Sequence, residues 1–399
     1  MDITIAIVSD LHCHHSKKFK KDDQATSFSY LTTDLPRVPW KYHPVEALFE
    51  LFKSEPDIKA DYLLCPGDIT NQVDVQGFIT GWEYVREIAQ KLQVKEESLI
   101  ATLGNHDVDS RFNIYPDNVF KTAECIGRNF PFKNDSKTME FWAKGYCFIE
   151  HEAVRLLVIN SVKFHCNKEA AIKGKMDDAQ IEGIDEYLKA TKDEKIQIAL
   201  CHHHPIEHAR FNLGTEDTIE KGGELLEVLN YHKFDLLIHG HKHDPWLRYS
   251  QGNNDSLPIF SSGSFSATSN FMINSAKNTF HIIKITKEGK DQAMGTIKTW
   301  EYLPATGWRK ADSGDHFFPQ NTGFGFSGKI DDLIAKSIDI IENGNGAFLE
   351  WSKFVPQIQD VLYLTPDECV EFRDKLNDQG IVMFPALPKE PKMIGKPHV

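Results

Sequence analysis

Five short stretches of the chain carry side chains able to hold and use a divalent cation. They are Asp10-Leu11-His12, Gly67-Asp68, Gly104-Asn105-His106-Asp107, His203-His204-Pro205 and Gly240-His241-Lys242-His243. Carboxylate, carboxamide and imidazole donors suit Mn, Fe, Zn or Ni, not a thiolate-seeking ion. Asp-x-His and Gly-Asp are common in any chain, whereas Gly-Asn-His-Asp is rare at average residue usage. The force of the set lies in its placement: the stretches follow apolar runs at 3–8, 62–65, 99–103, 196–200 and 236–238. Such runs read as buried parallel strands, and ligand sites in open α/β sheets collect beyond the carboxyl ends of those strands. A carboxylate bridging two divalent ions holds them about 3.5–4 Å apart. A water between them loses a proton near neutral pH and becomes a hydroxide nucleophile, while both ions neutralise phosphoryl oxygens during in-line attack.

The elements between these runs must bring the donors together. Pro44 opens a helix with Val45, Leu48, Phe49 and Phe52 on one face. Phe78, Trp82, Val85, Ala89 and Leu92 mark a second, and Ile181, Ile184 and Leu188 a third. Residues 146–150 and 154–160 read as an antiparallel hairpin, and later strands are expected at 259–261, 279–285 and 294–302. Strands alternate with helices early and dominate late, which favours an α/β sandwich; no internal repeat is present. The catalytic domain is expected to span 1–303. Residues 304–399 form an extension that serves as a structural cap or as a docking or oligomerisation element. In it, Ile330, Leu333, Ile334, Ile338 and Ile341 share a helix face, and Thr365-Pro366-Asp367-Glu368 is a capping box that starts another helix, with Gly380 as its stop. Phe317, Phe318, Phe324 and Phe326 suggest a packed loop. The Pro- and Lys-rich stretch from 385 onward is expected to be mobile. Residues 13–42 read as an irregular polar insert containing Lys17, Lys18, Lys20 and Lys21.

The net charge of -13 over 399 residues argues against long nucleic acid as the main partner. The seven cysteines are irregularly spaced and read as free thiols of a reducing compartment. With no signal-peptide pattern and no apolar run of membrane-spanning length, a cytoplasmic location without membrane association is expected.

In these motifs, over roughly residues 1–303, the sequence resembles the calcineurin-like metallophosphoesterases. The resemblance implies an α/β fold: a four-layer αββα sandwich of two mixed sheets flanked by helices, here with a C-terminal helical extension. It implies two divalent metal ions, with Mn or Fe favoured over Zn or Ni. Asp10, His12, Asp68 and His243 would hold the first, and Asp68, Asn105, His203 and His241 the second, with Asp68 bridging. The choice of His203 over His202 or His204 rests on the family's His-x-Pro spacing. His106 would protonate the leaving group or stabilise the transition state, and Asp107 would orient His106 or support its loop. Arg111, Asn113 and His204 are the candidates for substrate contact. His14, His15, His202 and His239 are expected as packed or supporting side chains.

Among subfamilies, the phosphoprotein phosphatases carry Asp-Arg-Gly after Gly-Asp, where this chain has Ile69-Thr70-Asn71. Purple acid phosphatases place a Tyr ligand where Asn71 stands. The His203-His204-Pro205 pattern looks most like the bacterial cyclic-nucleotide and glycerophosphodiester phosphodiesterases. The leading expectation is therefore a dinuclear phosphodiesterase acting on a nucleotide or another small phosphodiester. A nuclease similar to the SbcD-type exonucleases is the alternative. A metal-bound protein-interaction module without turnover is a third reading, against which the intact ligand set speaks.

Overall fold

The apolar runs that precede the donor motifs become parallel strands of two sheets. The structure is a computed structural model that describes residues 1–17, 28–110, 112–115, 117–127, 129–167, 171–191, 194–207, 217–251, 256–272, 276–289, 292–311, 318–344, 347–387 and 389–397. The first sheet has the order Gly307–Lys310, Met294–Leu303, Asn278–Thr286, Asp2–Ile7, Tyr62–Cys65, Leu99–Ala101, with Asn321–Phe324 also pairing to Met294–Leu303. Asp2–Ile7, Tyr62–Cys65 and Leu99–Ala101 run parallel, while Asn278–Thr286 lies antiparallel against Asp2–Ile7. The second sheet has the order Tyr146–Glu150, Val154–Ile159, Ile196–Leu200, Leu236–His239, Pro258–Ser261, Trp246–Tyr249. Its four inner strands are parallel and its two edge strands antiparallel.

Alternation along the strands decides which face meets which layer. Leu156, Val158, Ile198, Leu200 and Ile238 share one core with Ile5, Ile7 and Leu63 of the first sheet. Their neighbours Leu157, Ile159, Ala199, Cys201 and Leu237 point the other way, against Ile184, Leu188, Leu225 and Leu229. Those last four belong to the helices Asp178–Ala190 and Gly222–Tyr231. Helices Pro44–Ser54 and Val75–Lys91 bring Leu48, Phe78 and Trp82 into the first core. The result is two mixed sheets flanked by helices. Phe78 and Trp82 are fully buried, and truncating either to Ala would cost about 3–5 kcal/mol.

The boundary expected at residue 303 falls inside a layer. Gly307–Lys310 and Asn321–Phe324 both complete the hydrogen-bonded ladder on Met294–Leu303, so the first sheet continues past it. Helices Ile330–Glu342 and Pro366–Asp378 follow, the second with the Thr365–Glu368 capping box in place. The extension is not purely helical. Phe348–Glu350, Met393–Gly395 and Val382–Phe384 form a three-stranded sheet. Met393–Gly395 lies in the stretch read as mobile; Ile394 is fully buried and anchors it. This unit has its own apolar cluster. It joins the sandwich where Thr322 Oγ1 and Gly323 N donate to Leu364 O, each at 2.9 Å. Phe318, Phe324 and Phe326 are buried as expected; Phe317 lies outside the described residues. Among the described residues no helix is long and apolar enough to cross a membrane.

Candidate metal centre

Five of the donor residues share an uncommon backbone state. Asp10, His12, Asp68, His241 and His243 all have left-handed φ values, between 49 and 80°. For residues other than glycine that conformation costs on the order of 1–3 kcal/mol and persists only where surroundings impose it. Here the loops impose it on one another. Asp10 N and His12 N donate to the carbonyls of Gly67 and Asp68 at 3.0 Å, and Gly240 N donates to His202 O at 3.1 Å. Ser264 Oγ donates to Asp10 O, and Ser266 Oγ to Leu11 O, each at 2.7 Å. Ser29 Oγ also donates to Leu11 O at 2.7 Å, which ties the 13–42 insert to the same loop. Gly104 and Gly240 are required by close approach: a Cβ at Gly104 would collide with Asp68 Oδ1, and one at Gly240 with Asp10 Oδ2.

The side chains converge on two adjoining points. At the first, His243 Nε2 lies 3.4 Å from Asp10 Oδ1, and His12 Nε2 lies 3.9 Å from Asp10 Oδ1 and 3.8 Å from Asp68 Oδ2. The two imidazole nitrogens are themselves 2.8 Å apart. At the second, His202 Nε2 is 3.3 Å from Asp68 Oδ2 and 3.1 Å from Asn105 Oδ1. His241 Nδ1 is 3.0 Å from Asn105 Oδ1 and 3.3 Å from His202 Nε2. One oxygen, Asp68 Oδ2, belongs to both groups.

His203 was expected at the second point; the structure places His202 against Asp68 and Asn105 there, with the His203 ring next to it. Leu200 faces the core between the sheets and Cys201 faces the helices. His202 follows that inward direction, and the His203 ring stays beside the second point, 4.4 Å from the His241 ring. His203 Nδ1 instead lies 2.9 Å from Ser161 Oγ, and its Nε2 is buried with no hydrogen-bond partner among the described residues.

His106 N donates to Asp68 Oδ1 at 2.8 Å, and its Nδ1 lies 2.8 Å from Asn71 Oδ1. An amide oxygen only accepts, so Nδ1 carries the proton and Nε2 is the edge left for chemistry. The His106 and His12 rings meet edge to face at 4.7 Å. Asp107 does not orient His106: its Oδ1 and Oδ2 accept from Thr70 N and Gly104 N, each at 2.9 Å, so it braces the loop. Asn113 lines, with Gln72, Val73, Ser110 and Ile114, a cavity of about 160 Å³ beside Asn105 and His106. His204 is buried, its Nε2 3.3 Å from Asp217 Oδ1. Arg111 lies outside the described residues.

The donor set fits divalent cations. Imidazole nitrogens face one another and carboxylate oxygens at both points, an arrangement that shared protons satisfy poorly and a cation satisfies well. The calcineurin-like phosphoesterase profile matches residues 3–245. The chain belongs to that family. No curated protein matches it. Among solved structures it is similar to a purple acid phosphatase from yellow lupin (Lupinus luteus) seeds, at 14% identity and a TM-score of 0.46, over 77% of this chain and 52% of that one. A putative 5'-nucleotidase from Staphylococcus aureus gives 14% and 0.42, over 79% and 56%. The NAD nucleotidase of Haemophilus influenzae gives 14% and 0.35, over 79% and 60%. The chain thus spans 52–60% of the length of these three.

The electrostatics of this calcineurin-like phosphoesterase match the geometry. Burial alone would push the Asp10 and Asp68 carboxyls up, but His243 beside Asp10 and His202 beside Asp68 hold both below the usual carboxylate range. Burial keeps His12 and His241 neutral, the form that ligates. Burial also pulls His202 down, yet the Asp68 charge overrides it and pushes His202 up to about 9, so a cation held there would compete with a proton for that nitrogen. Asp107, buried and near Asp68, is pushed up to about 8.

Sequence reasoning missed His202, Asn71, Ser264, Ser266 and Asp217. Strand alternation carried through Leu200 would have selected His202. Asn71 stands three residues after Asp68 in a loop where Gln72 and Val73 also take left-handed φ values, of 47 and 58°; periodicity does not report on such a loop. Ser264 and Ser266 act through backbone carbonyls, which no motif encodes.

Proposed function

We propose that the chain is a dinuclear, metal-dependent phosphoester hydrolase, and a phosphodiesterase for a nucleotide or other small phosphodiester. The observation that carries this reading is the sharing of Asp68 Oδ2 between the Asp10–His12–His243 group and the Asn105–His202–His241 group, within 3.8 Å of His12 Nε2 and 3.3 Å of His202 Nε2. Divalent cations held there, Mn or Fe by the donor chemistry and the family resemblance, would supply Lewis-acid activation of water and neutralise phosphoryl charge.

The chain's own residues do the rest. Asp68 Oδ1 accepts the His106 backbone N–H, so the carboxylate between the two groups also fixes the start of the His106 segment. Asn71 holds one proton at Nδ1, so in the imidazolium form, with a second proton taken up from solvent, Nε2 gives that second proton to the departing alkoxide. Asp107 keeps the Gly104 turn closed. The cavity of about 160 Å³ beside His106 gives the leaving group of a diester a place to sit. A net charge of -13 favours a small substrate over a nucleic-acid polymer.

The test is turnover of bis(p-nitrophenyl) phosphate against p-nitrophenyl phosphate by Mn-loaded protein, beside Asp68→Ala. The expected result is preferred hydrolysis of the diester, lost in the variant. Absence of turnover with every divalent metal would contradict the enzyme reading, and preference for the monoester would contradict the diesterase.

A further inference from the structure

We propose that Asp217 is a positioning residue for the second cation, acting through His241; the inference rests on the two-cation reading above. The His241 ring has two working edges. Nδ1 faces the centre, 3.0 Å from Asn105 Oδ1. Nε2 faces away from it, 3.4 Å from Asp217 Oδ2, an ion-pair distance without hydrogen-bond geometry. A neutral imidazole that presents a lone pair to a cation through Nδ1 must carry its proton on Nε2. A carboxylate near that proton favours the Nε2–H tautomer through its charge and makes Nδ1 a stronger donor.

Asp217 is built for that position. It is 8% exposed, and it reaches three side chains at once: His241 through Oδ2, His204 through Oδ1 at 3.3 Å, and the Lys242 ammonium. The Lys242 contact anchors the carboxylate to the residue that follows His241, so the clamp moves with its target. Asp217 lies outside every recognisable motif: none of the five donor stretches includes it. The asymmetry matters as well. The first point has Asp10 Oδ1 directly beside His243 Nε2 and His12 Nε2. At the second, the side chains nearest the imidazoles are the shared Asp68 and the neutral Asn105. Asp217, with the Lys242 ammonium beside it, sets a carboxylate against the second point from behind His241. The consequence is a difference between the two cations: loss of Asp217 weakens the second and spares the first.

The experiment is calorimetric titration of metal-free protein with Mn²⁺, resolving two sites, for wild type, Asp217→Asn, Asp217→Glu and Asp68→Ala, with metal content per chain measured independently. Asp217→Asn keeps the shape and removes the charge. It should weaken the second site by about 10- to 100-fold and leave the first site and the melting temperature near wild type, and Asp217→Glu should recover part of the loss. Two wild-type affinities in Asp217→Asn would overturn the inference while leaving the two-cation reading intact. An equal loss at both sites would also overturn it, because the residue would then serve the fold and not His241. Fewer than two Mn²⁺ bound by wild type would instead bring down the two-cation reading itself, and the role of Asp217 with it.

Discussion

His202 presents Nε2 to Asp68 Oδ2 at 3.3 Å, and its other nitrogen, Nδ1, lies 3.0 Å from the carbonyl of Pro66, one residue before Gly67-Asp68. A carbonyl oxygen only accepts, so Nδ1 carries the proton and Nε2 is left for a cation. The same loop thus sets the tautomer of His202 and supplies the carboxylate it faces. Replacing His202 with Ala should therefore remove the second cation and reduce turnover by at least about 100-fold, since even supporting partners of metal ligands cost 10–100-fold. His203→Ala should keep both cations. Metal content per chain, measured on the two variants side by side, checks this; the reverse pattern would restore the His-x-Pro assignment.

His106→Ala should retain two cations and lower kcat by about 100- to 10,000-fold, the usual range for a general acid. The loss should be greatest for substrates with alkyl leaving groups and small for p-nitrophenolate, which departs without a proton. Asn71→Ala, which frees His106 Nδ1, should show the same leaving-group dependence in weaker form. Steady-state rates over a leaving-group series are the readout. A loss independent of leaving group would mean that His106 does not transfer the proton.

The fold was legible wherever burial repeats with a period. The strands 2–7, 62–65, 146–150 and 196–200, and the helices opened by Pro44 and Thr365, all lie where apolar spacing and capping residues put them. The short strands Gly307–Lys310 and Asn321–Phe324 were not legible. Neither has an apolar run of its own, and the antiparallel ladder on Met294–Leu303 holds each in place. At the site, the aspartates and the Gly-His-x-His pair could be named because each ends a strand. His202 could not, because three consecutive histidines leave the choice to strand parity while a proline spacing pulls it one residue along. Asp217 carried no signal at all, since its partners are 13 or more positions away in sequence.

Asp235 is the buried anion that joins the two sheets. Its Oδ2 accepts from Lys287 Nζ at 2.8 Å and from Gln197 N at 2.8 Å, and its Oδ1 accepts from Ala293 N at 3.2 Å. Asp235 and Lys287 are 1% and 5% exposed. Asp235→Ala strands a buried ammonium and should cost about 3–5 kcal/mol, and adding Lys287→Met should recover part of that. Urea unfolding midpoints measure both.

His281 predicts acid sensitivity of a definite sign. Its Nδ1 lies 2.8 Å from Thr299 Oγ1 and its Nε2 2.8 Å from Ser262 O, and burial pulls its pKa down to about 3 from 6.5. Between those values the unfolded chain binds a proton that the folded chain refuses. The stability contributed by His281 is therefore full above pH 6.5 and is lost as the pH falls towards 3, at up to about 1.4 kcal/mol per pH unit. Chemical denaturation of wild type and His281→Gln across that window should give a shallower pH slope in the variant. Equal slopes would show that another group carries the acid sensitivity.

The central claim is that Asp68 stands between two cations. Anomalous diffraction at the Mn edge from crystals grown with Mn²⁺ tests it most directly. The expected map has two peaks about 3.5–4 Å apart, with Asp68 Oδ2 between them, His12 and His243 around one peak, and His202 and His241 around the other. A single peak, or two peaks that Asp68 does not join, would contradict the account.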